Sequence, residues 1–264
     1  VFSSFFTVVD FPKMDLDEIK KAIPYEARQY IPIPLSEVVL TSNIIPGNLS
    51  GEKTSVLLVA VPKEVVERYK RIASACELEL ISLEVENLSL VRSLIPAHKG
   101  VTLLIDMGAR STHVNIVEGG YVWLSHHIEM AGDNFTQSIM RGMSLAPSKS
   151  ESLKRSTGIT GKGGEQSVSS IIYPALDSIT LEINRLIDLY SSKHPGKKIS
   201  SCVLAGGSAS LPGIVDYFVE KLGVSVSIGN PFRHIGYPEI LTPAIREISP
   251  LVAAAVGLAQ RTLK

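Results

Sequence analysis

The sequence has little of what would mark several common protein classes. It holds two cysteines in 264 residues, Cys76 and Cys202. Each sits in an apolar or helical context, so they read as core thiols in a reducing compartment rather than as a disulfide. There is no excess of charge, with Lys+Arg and Asp+Glu both at 26. A general nucleic-acid binder needs surplus basic groups, so no nucleic-acid partner is expected. Net charge near zero favours association with other proteins, self-association included. No uninterrupted apolar run approaches the ~18 residues of a membrane span, so direct membrane insertion is not expected. Val1-Phe2-Ser3-Ser4-Phe5-Phe6 has no basic n-region. No initiator Met precedes it, and the chain reads as starting inside a domain. No Gly-x-Ser-x-Gly elbow is present, and neither cysteine has a recognisable catalytic neighbour. Metal-ligand spacing is missing too. His126 and His127 are adjacent on a predicted strand and point to opposite faces. His98, His113, His194 and His234 lack a partner at ligand spacing. Gly161-Lys162 resembles a P-loop, but Ser156 and Gly163 stand where that motif needs Gly and Ser or Thr.

What is present is an ordinary globular composition, 45% apolar and 20% charged, long enough for one large domain or two small ones. Strands and helices alternate, which predicts an α/β fold. A strand is expected over 2–9. Asp15 and Glu18 form a capping box for a helix with Leu16, Ile19, Ile23 and Ala27 on one face, broken or kinked at Pro24. Tyr30 to Leu35, with Pro32 and Pro34, is extended. Strands follow over 38–45 and 55–61 with a turn at Pro46-Gly47-Asn48. An amphipathic helix spans 63–76, a strand 78–85 and a short helix 87–95. A polar linker at 96–100 marks a domain boundary, giving units 1–98 and 99–264. In the second unit the pattern predicts a strand over 121–129 and helices over 132–141 and 148–155. A long helix over 167–193 follows, with Lys197-Lys198 as a solvated turn after it. The end of the chain holds a strand at 201–205, a helix over 211–222, a strand at 224–228, an irregular stretch to 247 and an Ala-rich helix from 249 to 261.

The most informative stretch is Leu103 to Val117. An apolar run ends in Asp106, a tight turn holds Gly108, Ala109 and Arg110, and Ser111 and Thr112 open a second strand. This predicts a β-hairpin with an acidic residue at the tip of its buried strand. Gly108 offers a positive φ and a close ligand approach. The turn amides and the two hydroxyls can hold phosphate oxygens, and Asp106 can hold Mg²⁺ through its waters. Arg110 can pair with a phosphate or with a local carboxylate. About 100 residues on, Val203-Leu204-Ala205-Gly206-Gly207-Ser208-Ala209-Ser210-Leu211-Pro212-Gly213 is a strand, a glycine turn and a helix start. Such a turn lies at the carboxyl end of a strand, where open α/β sheets bind ligands. The helix N-terminus adds partial positive charge.

Together these motifs resemble the second half of the actin-like ATPase fold, which is ribonuclease-H-like. The closer resemblance is to the PilM family of type IV pilus and type II secretion platforms, relatives of the division protein FtsA. Glu26-Ala27-Arg28-Gln29-Tyr30-Ile31-Pro32-Ile33-Pro34-Leu35 is similar to that family's Glu-Ala-x-x-Tyr-Ile-Pro-Phe-Pro. Gly132-Asp133-x-x-Thr136, Glu151-x-x-Lys154, Leu222-Gly223-Val224 and Asn230-Pro231-Phe232 resemble further family stretches. The resemblance implies a phosphate loop of Asp106, Gly108, Ala109, Arg110, Ser111 and Thr112. It implies a helix start at Gly132, a ribose or base contact at Glu151 and Lys154, and an adenosine turn at Gly206, Gly207 and Ser208 followed by Leu211. ATP or ADP with Mg is the implied cofactor. Residues 10–95 resemble the family's inserted α+β subdomain. There Tyr30, Ile31, Ile33 and Leu35 are candidates to seat the N-terminal peptide of a PilN-like membrane partner, within a larger set of pilus platform proteins. The implied place is the cytoplasm, at the inner face of the plasma membrane. The family pattern has two Asp-x-Gly hairpins and this sequence has one, so the first actin half reads as incomplete and nucleotide binding as weakened. No residue stands out as a hydrolytic base, which implies at most a weak ATPase. The alternative is an FtsA-like ATPase or filament former.

Overall fold

A computed structural model describes residues 4–45, 53–96, 100–161 and 166–263. The turn expected at Pro46-Gly47-Asn48, most of the 96–100 linker, His98, Lys162 and Gly163 lie outside the described residues. The chain divides into two compact units, Val1–Glu86 and Asn87–Lys264.

The first unit holds strand β1 (Phe5–Pro12), helix α1 (Leu16–Tyr30), strands β2 (Val38–Ile44) and β3 (Lys53–Pro62), and helix α2 (Lys63–Ala75). Its sheet has the order β1-β3-β2, antiparallel throughout. The central strand is the most apolar, with Val56, Leu57, Leu58, Val59 and Ala60 all buried. The expected capping box is present: the Asp15 amide donates to Glu18 Oε2 at 3.1 Å. Ile19, Ile23 and Ala27 then pack with Val9, Phe11, Val56 and Leu58 into one core. Pro24 neither breaks nor ends α1. It sits on the exposed side of the helix, where the carbonyl it leaves unpaired is turned towards water. Leu16 departs from the expected apolar face and is exposed. Helix α2 forms as the periodicity predicts but buries none of its residues. Residues 78–85, expected as a strand, pair with no strand among the described residues. Their apolar side chains Leu78 and Ile81 are 67% and 75% exposed. A β pattern forms a strand only when it pairs with a neighbouring edge, and these residues do not pair.

The second unit begins with helix α3 (Glu86–Leu94) and the meander β4 (Val101–Met107), β5 (Thr112–Glu118) and β6 (Tyr121–Ile128). Helices α4 (Gly132–Met143), α5 (Pro147–Thr157) and α6 (Gln166–Lys193) follow. Strand β7 (Ile199–Ala205), helix α7 (Ile214–Leu222), strand β8 (Ser225–Ile228) and helix α8 (Thr242–Ala259) complete it. The sheet order is β6-β5-β4-β7-β8. The meander is antiparallel, while β4, β7 and β8 run parallel. Parallel neighbours bring the carboxyl ends of β4 and β7 to the same edge of the sheet, with Asp106 opposite Ala205. The central strand β4 is buried along almost its whole length, and Leu103, Leu104, Ile105 and Leu204 have no exposed surface.

Several expected boundaries move for identifiable reasons. Helix α5 is capped by Ala146 with Pro147 in its first turn, in place of a Ser148 cap. Helix α8 starts seven residues before Ser249, because Pro243 occupies a first-turn position that needs no donor. Residues 239–259 are apolar enough on average, over 21 residues, to cross a membrane by length and composition alone. One side of this helix packs on α3, where Ser93 Oγ donates to Ala253 O (2.9 Å) and Arg92 to Gly257 O (2.8 Å). Lys197 is not merely solvated: its ammonium lies 2.7 Å from Glu118, which also accepts from Tyr190.

Candidate functional site

The site is built from backbone first. Strand β4 delivers Asp106 to the sheet edge, and the turn after it closes through Gly108 N to Ser111 O at 3.0 Å. Gly108 is absent from the positive-φ glycines, so the expectation of a left-handed conformation there is wrong. Glycine is favoured by space instead, since a Cβ would stand 3.1 Å from the Ser111 carbonyl. Ala109 and Arg110 are exposed at the tip, and Ser111 is nearly buried. Thr112 is fully buried, and its hydroxyl donates to Met130 O at 2.7 Å, tying the turn to the segment between β6 and α4.

The second glycine turn lies against the first. Gly206 has φ +82°, and a Cβ there would stand 2.5 Å from Asp106 Oδ1 and collide with the Met107 carbonyl. Only glycine satisfies both the conformation and the space. Ser208 Oγ donates to Gly108 O at 3.2 Å. Residues Gly207–Ser210 form a 3-10 turn, and α7 starts only at Ile214, later than the expected 211. Leu211 is consequently a buried residue of the loop between them.

Helix α4 enters the same cluster by its N-terminus. Gly132 N donates to Gly108 O (3.2 Å) and Asp133 N to Ala109 O (2.7 Å). The helix end therefore holds the turn through two of its otherwise unpaired donors. A Cβ on Gly132 would stand 2.7 Å from Ser208 Oγ. Lys154 of α5 reaches in from beneath, with Nζ 3.0 Å from Gly132 O, 2.9 Å from Thr136 Oγ1 and 2.7 Å from Glu151. Thr136 in turn donates to Glu151 at 2.6 Å, and Arg155 pairs with the other carboxylate oxygen at 2.7 Å. Burial opposes ionisation of Glu151, but hydrogen bonds from Lys154, Thr136 and Arg155 outweigh it and hold the carboxyl at about 2.

The structure thus brings Asp106, Gly108, Ala109, Ser111, Gly132, Lys154, Glu151, Gly206 and Ser208 into one interlocked cluster, with Thr112 and Leu211 buried behind it; Arg110 is exposed at the tip of its turn, and Gly207 faces Leu251. Thr136 is the member whose bridging role sequence spacing did not reveal. His113 is another: it lies opposite His127 across β5 and β6, 14 residues away in sequence. Burial and the neighbouring His127 push its pKa down to about 4.

The peptide-seat candidates lie in the first unit and fare differently. Ile31 is a core residue, and Ile33 and Leu35 pack against that core. Tyr30, the last residue of α1, is 48% exposed.

Two glycine turns at the carboxyl ends of neighbouring parallel strands, gripped by a helix N-terminus, belong to the actin-like class. MreB5 of Spiroplasma citri, solved bound to AMPPNP, shares this fold with a TM-score of 0.56 at 17% identity, over 75% of this chain and 64% of that one. The profile of the family described as Type IV pilus assembly protein PilM matches residues 11–263, and the chain belongs to that family. A chain of a solved PilM-PilN type IV pilus biogenesis complex superposes with a TM-score of 0.85 at 25% identity, over 99% of this chain and 77% of that one. Among curated proteins, FtsA of Streptococcus pneumoniae (serotype 2, strain D39) is 24% identical over 83% of this chain and 51% of its own length. FtsA of Bacillus subtilis (strain 168) is 23% identical over 53% of this chain and 36% of its own length. The chain therefore spans about a third to a half of the length of these curated relatives.

Proposed function

We propose that this protein is a cytoplasmic adaptor of a type IV pilus platform at the inner membrane. It seats the N-terminal peptide of a PilN-like membrane protein in its first unit. It carries a nucleotide-phosphate site in its second unit, where ATP or ADP acts as a structural or switching ligand. The observation that carries the adaptor role is the likeness to a chain solved in complex with PilN, over nearly all of this chain. The family match favours this reading over an FtsA-like division role. Exposed Tyr30 is the candidate contact. Ile31, Ile33 and Leu35 act by shaping the surface rather than by touching the peptide.

The residues of the second unit suit phosphate oxygens. Ala109 and Arg110 offer an exposed amide and a guanidinium at the turn, beside the Ser111 hydroxyl. Asp106 is the group for a hydrated Mg²⁺, which keeps several waters and takes few protein ligands. Lys154 and Glu151 hold α4 and α5 together beneath the expected ribose position. The nucleotide reading is tested by calorimetry with Mg-ATP on the full-length protein. Asp106→Asn lowers affinity by about 10- to 100-fold, the usual cost of losing a partner that holds a metal through water. Unchanged affinity removes Asp106 from the site.

A further inference from the structure

The two histidines that sequence spacing separates form the least expected cluster in the molecule. His113 on β5 and His127 on β6 are register partners. Their facing nitrogens, His113 Nε2 and His127 Nδ1, are 3.3 Å apart. The ring planes are inclined at 62° with centroids 4.6 Å apart, so the rings are not stacked. Ser111 Oγ lies 3.4 Å from the same His113 Nε2. A tetrahedral zinc ion with Zn–N bonds of ~2.0–2.1 Å separates its ligand atoms by about 3.3–3.4 Å. The two nitrogens, close enough to share a hydrogen bond in the free protein, have the spacing of that edge.

We propose that His113 and His127 form a binding site for a borderline divalent cation of the zinc, nickel or copper class, with the Ser111 hydroxyl beside it and water completing the coordination. Imidazole nitrogens suit these ions and not Mg²⁺, which prefers oxygen. The site is therefore chemically distinct from any nucleotide-bound magnesium. His127 is exposed, which gives the ion an entry path. No group of three or more His, Cys, Asp or Glu is placed to hold a metal among the described residues. Two imidazoles with water make an exchangeable site rather than a structural one. The inference rests on this geometry alone and does not depend on nucleotide binding.

The test is a titration of the tag-free, full-length protein with Zn²⁺ in competition with a chromogenic chelator, followed by Co²⁺ as a spectroscopic substitute. Wild type binds one equivalent at this site, with the visible spectrum of tetrahedral cobalt. His127→Ala weakens that binding by at least about 10- to 100-fold, the loss that even an outer-shell partner causes. His127→Gln does the same while keeping a polar side chain, and because position 127 is exposed both variants melt like wild type. His126→Ala, whose ring lies beside Glu182, leaves the binding unchanged. Absence of Zn²⁺ binding by wild type, or equal binding by folded His127→Ala, overturns the proposal.

Discussion

The two candidate sites use their sequence motifs in opposite ways. In the second unit the motif residues are gathered by backbone: Gly206 against Asp106, Gly132 against Gly108, Lys154 against Gly132. In the first unit Ile31 is in the core, Ile33 and Leu35 pack half-buried against it, and Tyr30 is the most exposed of the four. A motif built on glycines and a strand end marks where backbone segments approach closely, because a side chain there would meet its neighbours. A motif built on isoleucine and proline marks how a segment is anchored, and it leaves its neighbour Tyr30 exposed.

That contrast can be broken by substitution. The largest effect is expected at Gly206. Gly206→Ala forces an L side chain into a left-handed backbone and against a carbonyl, and should cost about 4 kcal/mol in urea unfolding. A loss below about 1 kcal/mol would show that the two turns are not locked together. Ile31→Ala should cost about 3 kcal/mol, as a core truncation does. A fully stable Ile31→Ala protein that no longer bound the peptide would reverse the assignment of Ile31 to the core.

Lys154→Met tests the network under the second site. Glu151 is depressed in the folded protein from 4.5 to about 2. Its contribution is fully present above pH 4.5 and is lost as pH falls towards 2. The variant should therefore be less stable by about 1 kcal/mol near neutral pH, discounting for the partial exposure of the carboxylate. The gap should narrow on acidification. A gap that widens below pH 4.5 contradicts the ionised Glu151 network. The smallest effect on stability is expected at Tyr30, where Tyr30→Asp should change unfolding by no more than about 0.5 kcal/mol.

Much of this arrangement was legible in the sequence because it is local. The Asp15 and Glu18 box, the strand ending in Asp106 and the strand ending in Ala205 followed from capping, hydrophobic patterning and turn chemistry. The amphipathic patterns of α1 and α2 are alike, yet α1 buries three residues and α2 buries none. Periodicity foretells a helix but not what covers it. Residues 78–85 carry the same lesson for strands, since alternation does not supply a neighbouring edge. The bridging place of Thr136 and the pairing of His113 with His127 depend on contacts across elements, to which spacing along the chain is blind. Gly108 was placed correctly for the wrong reason, crowding by Ser111 O rather than a positive φ.

The central claim is tested most directly by calorimetric titration of the N-terminal cytoplasmic peptide of the PilN-like partner into the full-length protein, with Tyr30→Asp in parallel. The account predicts saturable one-to-one binding that Tyr30→Asp weakens without altering the melting curve. No binding to wild type, or binding by Tyr30→Asp equal to it, would contradict the assignment of the peptide seat.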